Sequence, residues 1–224
     1  MKKILKAAVA LIIFSPLDTF AENFTGAYGG IGFGINALSS EYRQSSFNSY
    51  DYNTRSNTAG ILYNATLLGG YGKMYGHFYV GGEIAASLTT GNSKGGQLKK
   101  GESPNSGKFL SKWTINPTLR LGMLISPKTL AYGKIGVSDS HFEVSSLGGS
   151  KSDGQPCKYK KNIWGFSMGA GLETLVTEKV SFRMDYTFSI YPKKTWTVGG
   201  GPTPDSAKIS PKESIFRIGV AYYL

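Results

Sequence analysis

Seven ionisable residues, Glu83, Arg120, Lys134, Glu173, Arg183, Asp185 and Arg217, lie on stretches where polar and apolar side chains alternate. Four are basic and three acidic, so the set nearly neutralises itself. The polar positions around them are mostly Gly, Ala and Ser, small residues that suit a strand face where space is tight. In such a space an unpaired charge costs roughly several kcal/mol, so the chemistry these residues point to is mutual ion pairing.

Other chemistry has little support. Catalysis needs a base beside a nucleophile, and the only histidines are His77 and His141. His141 has Ser140 before it and Glu143 two residues after it. Adjacent residues on a strand point to opposite faces, so Ser140 is turned away from His141, and the position that shares the His141 face holds an acid instead of a nucleophile. No group of Cys, His and carboxylates has metal-ligand spacing. The sequence therefore predicts no enzyme, no cofactor and no metal centre. Cys157 is the only cysteine and has no partner for an internal disulfide.

The elements that must position the seven charges are strands. Period-2 alternation marks eight segments. The first, about 24–37, sets Ile31, Phe33 and Ile35 against Gly30, Gly32, Gly34 and Asn36. The second sets Ile61, Tyr63, Ala65, Leu67 and Tyr71 against Asn64, Thr66 and Gly70, and the third sets Phe78, Val80, Ile84 and Leu88 against Tyr79, Glu83, Ser87 and Thr89. The fourth carries Trp113 to Ile125 opposite a face with Arg120, the fifth Ala131 to Val137 opposite Lys134, and the sixth Trp164 to Leu172 opposite Glu173. In the seventh, Val180 to Ile190 alternate with Ser181, Arg183, Asp185, Thr187 and Ser189, and the last runs from Phe216 to Leu224 with Arg217 on the other face.

The gaps between segments alternate between short and long. Turns near Lys73 to Gly76, Ser126 to Thr129 and Thr177 to Lys179 are short, whereas Leu38–Asn57, Gly91–Ser111, Asp139–Asn162 and Pro192–Glu213 read as long loops. A barrel that crosses an outer membrane has that asymmetry. The fold expected is all-β: an eight-stranded antiparallel up-and-down transmembrane β-barrel, apolar outside and charged inside. Glu83 lies six residues after His77 and Arg120 six before Ser126, so the two are expected at one height as a direct ion pair. Trp113 and Trp164 at the long-loop ends, with Tyr71 and Tyr222 at the opposite ends, read as two interfacial aromatic girdles.

Export is written at the start of the chain. Lys2, Lys3 and Lys6 precede an apolar run from Ala7 to Phe14, and Thr19-Phe20-Ala21 offers small residues where a signal peptidase reads. Residues 1–21 are expected to be a cleaved signal peptide and residues 22–224 the barrel domain. Removal of the signal lowers the formal charge from +11 to +9. Three of the four long loops carry most of that excess as lysine, a charge that suits lipopolysaccharide phosphates or acidic host glycans. Without a recognition motif, nucleic acid is not an expected partner.

The stretches Gly69-Gly70-Tyr71-Gly72 and Gly76-His77-Phe78-Tyr79-Val80-Gly81-Gly82-Glu83 resemble the second hairpin of the OmpA-like and opacity-type outer-membrane β-barrel family. Tyr132 to Gly136, Gly169 to Glu173 and Arg183 to Tyr186 carry the same resemblance, which covers the whole mature chain. It implies eight strands, surface loops, a charge-paired interior and residence in the cell outer membrane. Phe216, Ile218, Val220, Tyr222 and Leu224 look like the family's terminal signal for the outer-membrane assembly machinery, with Leu224 where an aromatic is usual. Two roles follow: a closed barrel whose loops serve envelope structure or adhesion to an envelope or host ligand, and, as the alternative, a narrow porin for small solutes or ions.

Overall fold

The computed structural model describes the backbone of residues 24–45, 54–91, 108–150, 156–198 and 205–224, and the side chains of 24–39, 60–91, 110–143, 160–194 and 210–224. The signal-peptide reading of residues 1–21 falls outside these.

Nine strands follow one another in the chain: β1 (Gly26–Ser45), β2 (Thr54–Tyr75), β3 (Phe78–Thr90), β4 (Lys108–Ser126), β5 (Thr129–Ser150), β6 (Pro156–Leu175), β7 (Val180–Ile190), β8 (Lys194–Val198) and β9 (Asp205–Tyr223). Every neighbour is antiparallel, and β1 pairs with β9 from Tyr28↔Tyr223 to Ser45↔Ser206, which closes the sheet on itself. Closure leaves no sheet edge around the cylinder's waist. β8 does not add a ninth stave. β7 pairs with β9 up to Ile190↔Lys212, and β8 resumes against the same strand at Lys194↔Ile209, shifted by one residue. Pro192, which has no N–H for the ladder, sits in the interruption. The barrel is therefore eight-stranded, and β7 with β8 is one stave broken at a proline.

Three hairpins close one end. Tyr75 pairs with Phe78 across Gly76-His77, where Gly76 has φ of +60°, a conformation that suits a residue without Cβ. Ser126 pairs with Thr129 across Pro127-Lys128. In the third turn the Thr177 hydroxyl accepts the Val180 N–H at 3.0 Å.

The other end differs from the sequence expectation. Much of what reads as long loop is strand: β1 continues to Ser45, β2 starts at Thr54, β5 reaches Ser150 and β6 starts at Pro156. The sequence there is rich in Ser, Asn, Thr and Tyr without apolar alternation, so the ladder continues where the sequence pattern has stopped. Three pairings end early, at Tyr63↔Thr90, Leu88↔Trp113 and Phe166↔Ile190. Above those rungs the barrel divides into two separate sheets, β2-β1-β9-β8 and β4-β5-β6.

Burial is inverted relative to a water-soluble sheet protein. On β7, Phe182, Met184 and Tyr186 are 41–46% exposed while Arg183, Asp185 and Thr187 are buried. The outer wall is apolar on every stave, with Ile31, Phe33, Leu67, Ile84, Leu119, Ile135, Phe166 and Ile218 all exposed. Near the short turns the interior is sealed by Phe24, Leu124, Leu130, Leu175 and Tyr223, all 5% exposed or less.

Candidate functional site

The seven charged residues expected inside are all buried and share one lumen. Glu83 on β3 is the hub. Arg183 on β7 grips it with both guanidinium nitrogens, Nη1 to Oε2 at 2.7 Å and Nη2 to Oε1 at 3.2 Å. Arg120 on β4 donates to the same carboxylate at 3.2 Å and with its other arm to Glu173 on β6 at 2.6 Å. Lys134 on β5 pairs with Asp185 on β7, which also lies 3.6 Å from Arg183. Two-pronged pairing of this kind lets rigid guanidinium groups hold their partners without water.

Tyrosines fill the remaining space. Tyr28 and Tyr223 donate to Glu83 and Glu173 at 3.0 and 2.8 Å, and the Tyr132 hydroxyl accepts from Arg183 at 3.0 Å. The Arg120 guanidinium also lies 3.9 Å from the Tyr132 ring centre, 5.3 Å from that of Tyr79 and 5.5 Å from that of Tyr28, within cation–π range of all three. The glycines of the polar faces make this possible. A Cβ on Gly72 would stand 2.1 Å from the Tyr79 hydroxyl, and one on Gly171 2.5 Å from the Tyr132 ring.

Arg217 departs from the expectation of full pairing. It stands opposite Asp185 in the register. Yet among the described residues it makes no ion pair, and its Nε and Nη1 have no hydrogen-bond partner. Lys134 and the Thr187 hydroxyl hold Asp185 Oδ1, while Oδ2, 3.6 Å from Arg183, accepts no hydrogen bond among the described residues, and Arg217 stays apart from a carboxylate that keeps an open acceptor.

A buried acid was missed. Glu213 falls in the sequence gap read as a loop, but it faces the lumen on β9 and is fully buried. Asn36 Nδ2 donates to it at 2.5 Å and the Tyr191 hydroxyl at 2.8 Å, while the Tyr191 and Ser140 hydroxyls bond each other at 2.6 Å. The Ser140 and Thr114 hydroxyls bond at 2.7 Å, and Asn116 donates to Ser138 and Ser167 at 2.9 and 2.8 Å. This outer half of the lumen is a neutral network around one carboxylate. The signal for it was parity: Glu213, Ile215 and Arg217 alternate with Lys212, Ser214 and Phe216, so the register of the last strand extends to Glu213 if the strand starts earlier.

The remaining sequence candidates divide between the outer wall and the undescribed residues. Trp164, Tyr71 and Tyr222 face outward with 61%, 60% and 47% exposure. Trp113 is half-buried and stacks on His141, ring centres 5.6 Å apart and planes at 7°. Ser140 is buried in the lumen while His141 faces outward and bonds Asn162 at 2.5 Å, so the two do not converge. His77 sits in the first short turn. Phe216, Ile218, Val220 and Tyr222 form an outward row, and Leu224 is 81% exposed at its end. The Cys157 side chain and the lysines of residues 92–107 lie outside the described residues. Among the described residues no group of His, Cys, Asp and Glu is placed to hold a metal ion.

A closed cylinder with an apolar outer wall and an ion-paired core is a membrane-spanning β-barrel, since lipid requires every backbone group to be bonded within the sheet. The chain matches the outer membrane protein beta-barrel domain over residues 7–223 and belongs to that family; its place is the cell outer membrane. No curated protein matches it in sequence. Among solved structures it is similar to the outer membrane protein OprG of Pseudomonas aeruginosa, with 16% identity, 89% of this chain and 96% of that one covered, and a TM-score of 0.59. The outer membrane protease OmpT of Escherichia coli is 9% identical over 89% and 97% of the two chains, with a TM-score of 0.53. Ail, the attachment invasion locus protein of Yersinia pestis, is 16% identical over 89% and 99%, with a TM-score of 0.45. At these identities the likeness is one of fold.

Proposed function

We propose that this protein serves surface interaction, in adhesion or envelope structure, with the barrel as a closed, non-catalytic scaffold. One observation carries the reading: Arg120, Arg183, Glu83, Glu173, Tyr28, Tyr79, Tyr132 and Tyr223 fill the inner half of the lumen at 4% exposure or less. Eight strands enclose room for side chains alone, and here that room is taken. A solute would have to displace ion pairs whose members are buried among the packed tyrosines.

Specificity then belongs to what stands above the membrane, the two crown sheets and the loops that join their strands. Their lysines suit anionic partners such as lipopolysaccharide phosphates, acidic host glycans or other envelope ligands. In the same reading residues 1–21 direct export and are cleaved after Ala21, residues 22–224 form the mature barrel, and the row from Phe216 to Leu224 is what the assembly machinery recognises.

Planar-bilayer recording on the refolded protein tests the proposal. A closed scaffold gives no reproducible single-channel steps, and shortening the lysine-rich loops abolishes ligand binding without loss of the barrel. Steady steps whose size shifts on Glu83→Gln or Arg120→Gln would replace this reading with a narrow porin.

A further inference from the structure

The wall of the barrel opens at one place where charge and an apolar groove meet. Ladder pairing between β6 and β7 ends at Phe166↔Ile190, and above it β6 pairs only with β5 while β8 pairs only with β9. The seam between them is flanked by exposed lysines: Lys160 on β6 and Lys212 on β9, opposite Ile190, are on the outward parity, Lys193 sits in the break between β7 and β8, and their neighbours Lys161 and Lys194 are on the lumen-side parity. Three acids are near in the register. Glu143 stands opposite Lys160 and Asp139 opposite Trp164, and Glu213 is turned inward and held by Asn36 and Tyr191. The seam therefore keeps a net positive charge.

Directly below, on the outer wall of the same two strands, is a groove of about 460 Å³ lined by Met168, Gly169, Ala170, Tyr186 and Phe188. Its floor is low because Ala170 stands opposite Tyr186, one rung of outward residues below Met168 and Phe188. On the continuous strand β9 the partners of Phe188 and Lys194, Ser214 and Ile209, stand five residues apart, about 16 Å along the strand. At a barrel tilt of about 40° that is about 12 Å along the membrane normal, so groove and lysines lie within one leaflet of a hydrocarbon core about 30 Å thick.

We propose that this seam binds a phosphorylated, acylated lipid of the outer leaflet, its phosphate among Lys160, Lys193 and Lys212 and one acyl chain in the groove below. An anion without a chain would gain only the lysines, which are solvated and screened by salt. A chain without phosphate would gain only the groove. At the opposite end of the barrel Lys73 and Lys179 lie over the rings of Tyr75 and Tyr222, 5.4 and 5.8 Å from their centres, and provide a control for charge alone. The site rests on the membrane placement of the barrel and not on closure of its lumen, so an open channel in the bilayer recordings leaves it standing.

The test is native mass spectrometry of the full mature barrel, refolded without lipopolysaccharide, titrated with diphosphoryl lipid A, its dephosphorylated form and inorganic phosphate. The expected result is retention of one diphosphoryl lipid A, weakened at least tenfold by Lys160→Ala/Lys193→Ala/Lys212→Ala. Ala170→Phe, checked for folding by its heat-modifiable band and backed by the milder Ala170→Leu, weakens it as well, and Lys179→Ala does not. Equal retention of the dephosphorylated lipid overturns the proposal. So does lysine-dependent binding of inorganic phosphate that ignores the groove variants, or wild-type retention by both sets of variants.

Discussion

The two halves of the lumen solve the same problem in different ways. Near the short turns, three acids and four bases are packed with tyrosines, and Glu83 alone serves two arginines. Toward the crown, serines, threonines and asparagines bond one another, and among the described residues Glu213 is the acid there, held by Asn36 and Tyr191 and in no ion pair. Formal charge would balance if Glu213 reached Arg217, but the two stand four residues apart on β9, about 13 Å along the strand. Pairing is local. The inner half is therefore locked by interactions that are costly to break singly, whereas the outer half is held by neutral bonds that exchange partners at little cost.

Loss of the hub is the largest expected break in this contrast. Glu83→Ala leaves Arg120 and Arg183 facing each other without their shared carboxylate, and should destabilise the barrel by about 3–5 kcal/mol in urea unfolding of the folded band. A charge placed on the wrong side comes next: Met184→Arg puts a cation on the lipid-facing wall, and about 2–4 kcal/mol should be lost in lipid vesicles. Gly72→Ala, whose new methyl meets the Tyr79 ring at 2.4 Å and its hydroxyl at 2.1 Å, should cost about 1–3 kcal/mol. Gly82→Ala on the outer wall, where nothing lies within 4 Å of the new atom, should unfold close to the parent and separates lumen crowding from strand effects. Among the lumen changes the smallest is expected at the other acid. Glu213→Gln keeps the shape and meets only neutral partners, so the same assay should register about 1 kcal/mol or less. A Glu213→Gln loss equal to that of Glu83→Ala would erase the distinction between the halves.

How much of this was legible in the sequence follows from where lipid imposes a pattern. Inside the membrane, apolar and polar residues must alternate, and Arg183, Asp185 and Thr187 could be assigned to the lumen from Phe182, Met184 and Tyr186 alone. Counting residues from the short turns pointed to the contact of Glu83 with Arg120, but the register sets Arg120 opposite Gly81 and Glu83 opposite Thr118, so the pair closes diagonally and not at one height. Above the membrane the constraint lapses. Strands such as 39–45 and 54–60 carry polar residues without apolar alternation, so they read as loop, and Glu213 was counted with the loop acids. The broken stave was hidden for a related reason: Pro192 looks like the end of a strand, and only the register on β9 shows that β8 resumes it. Arg217 was legible as buried but not as unpaired, because whether its guanidinium turns toward the Asp185 opposite it depends on side-chain conformation, which the strand pattern does not fix.

Site-directed spin labelling along β7 tests the central claim, that lipid meets the apolar face while the polar face is sealed. With Cys157 replaced by serine, nitroxides at positions 182, 184, 186 and 188 should be relaxed by oxygen in the bilayer, and those at 181, 187 and 189 should be shielded from both oxygen and a water-soluble nickel chelate. Nickel accessibility at 187 and 189, or oxygen accessibility on the odd-numbered positions in place of the even, would contradict the account.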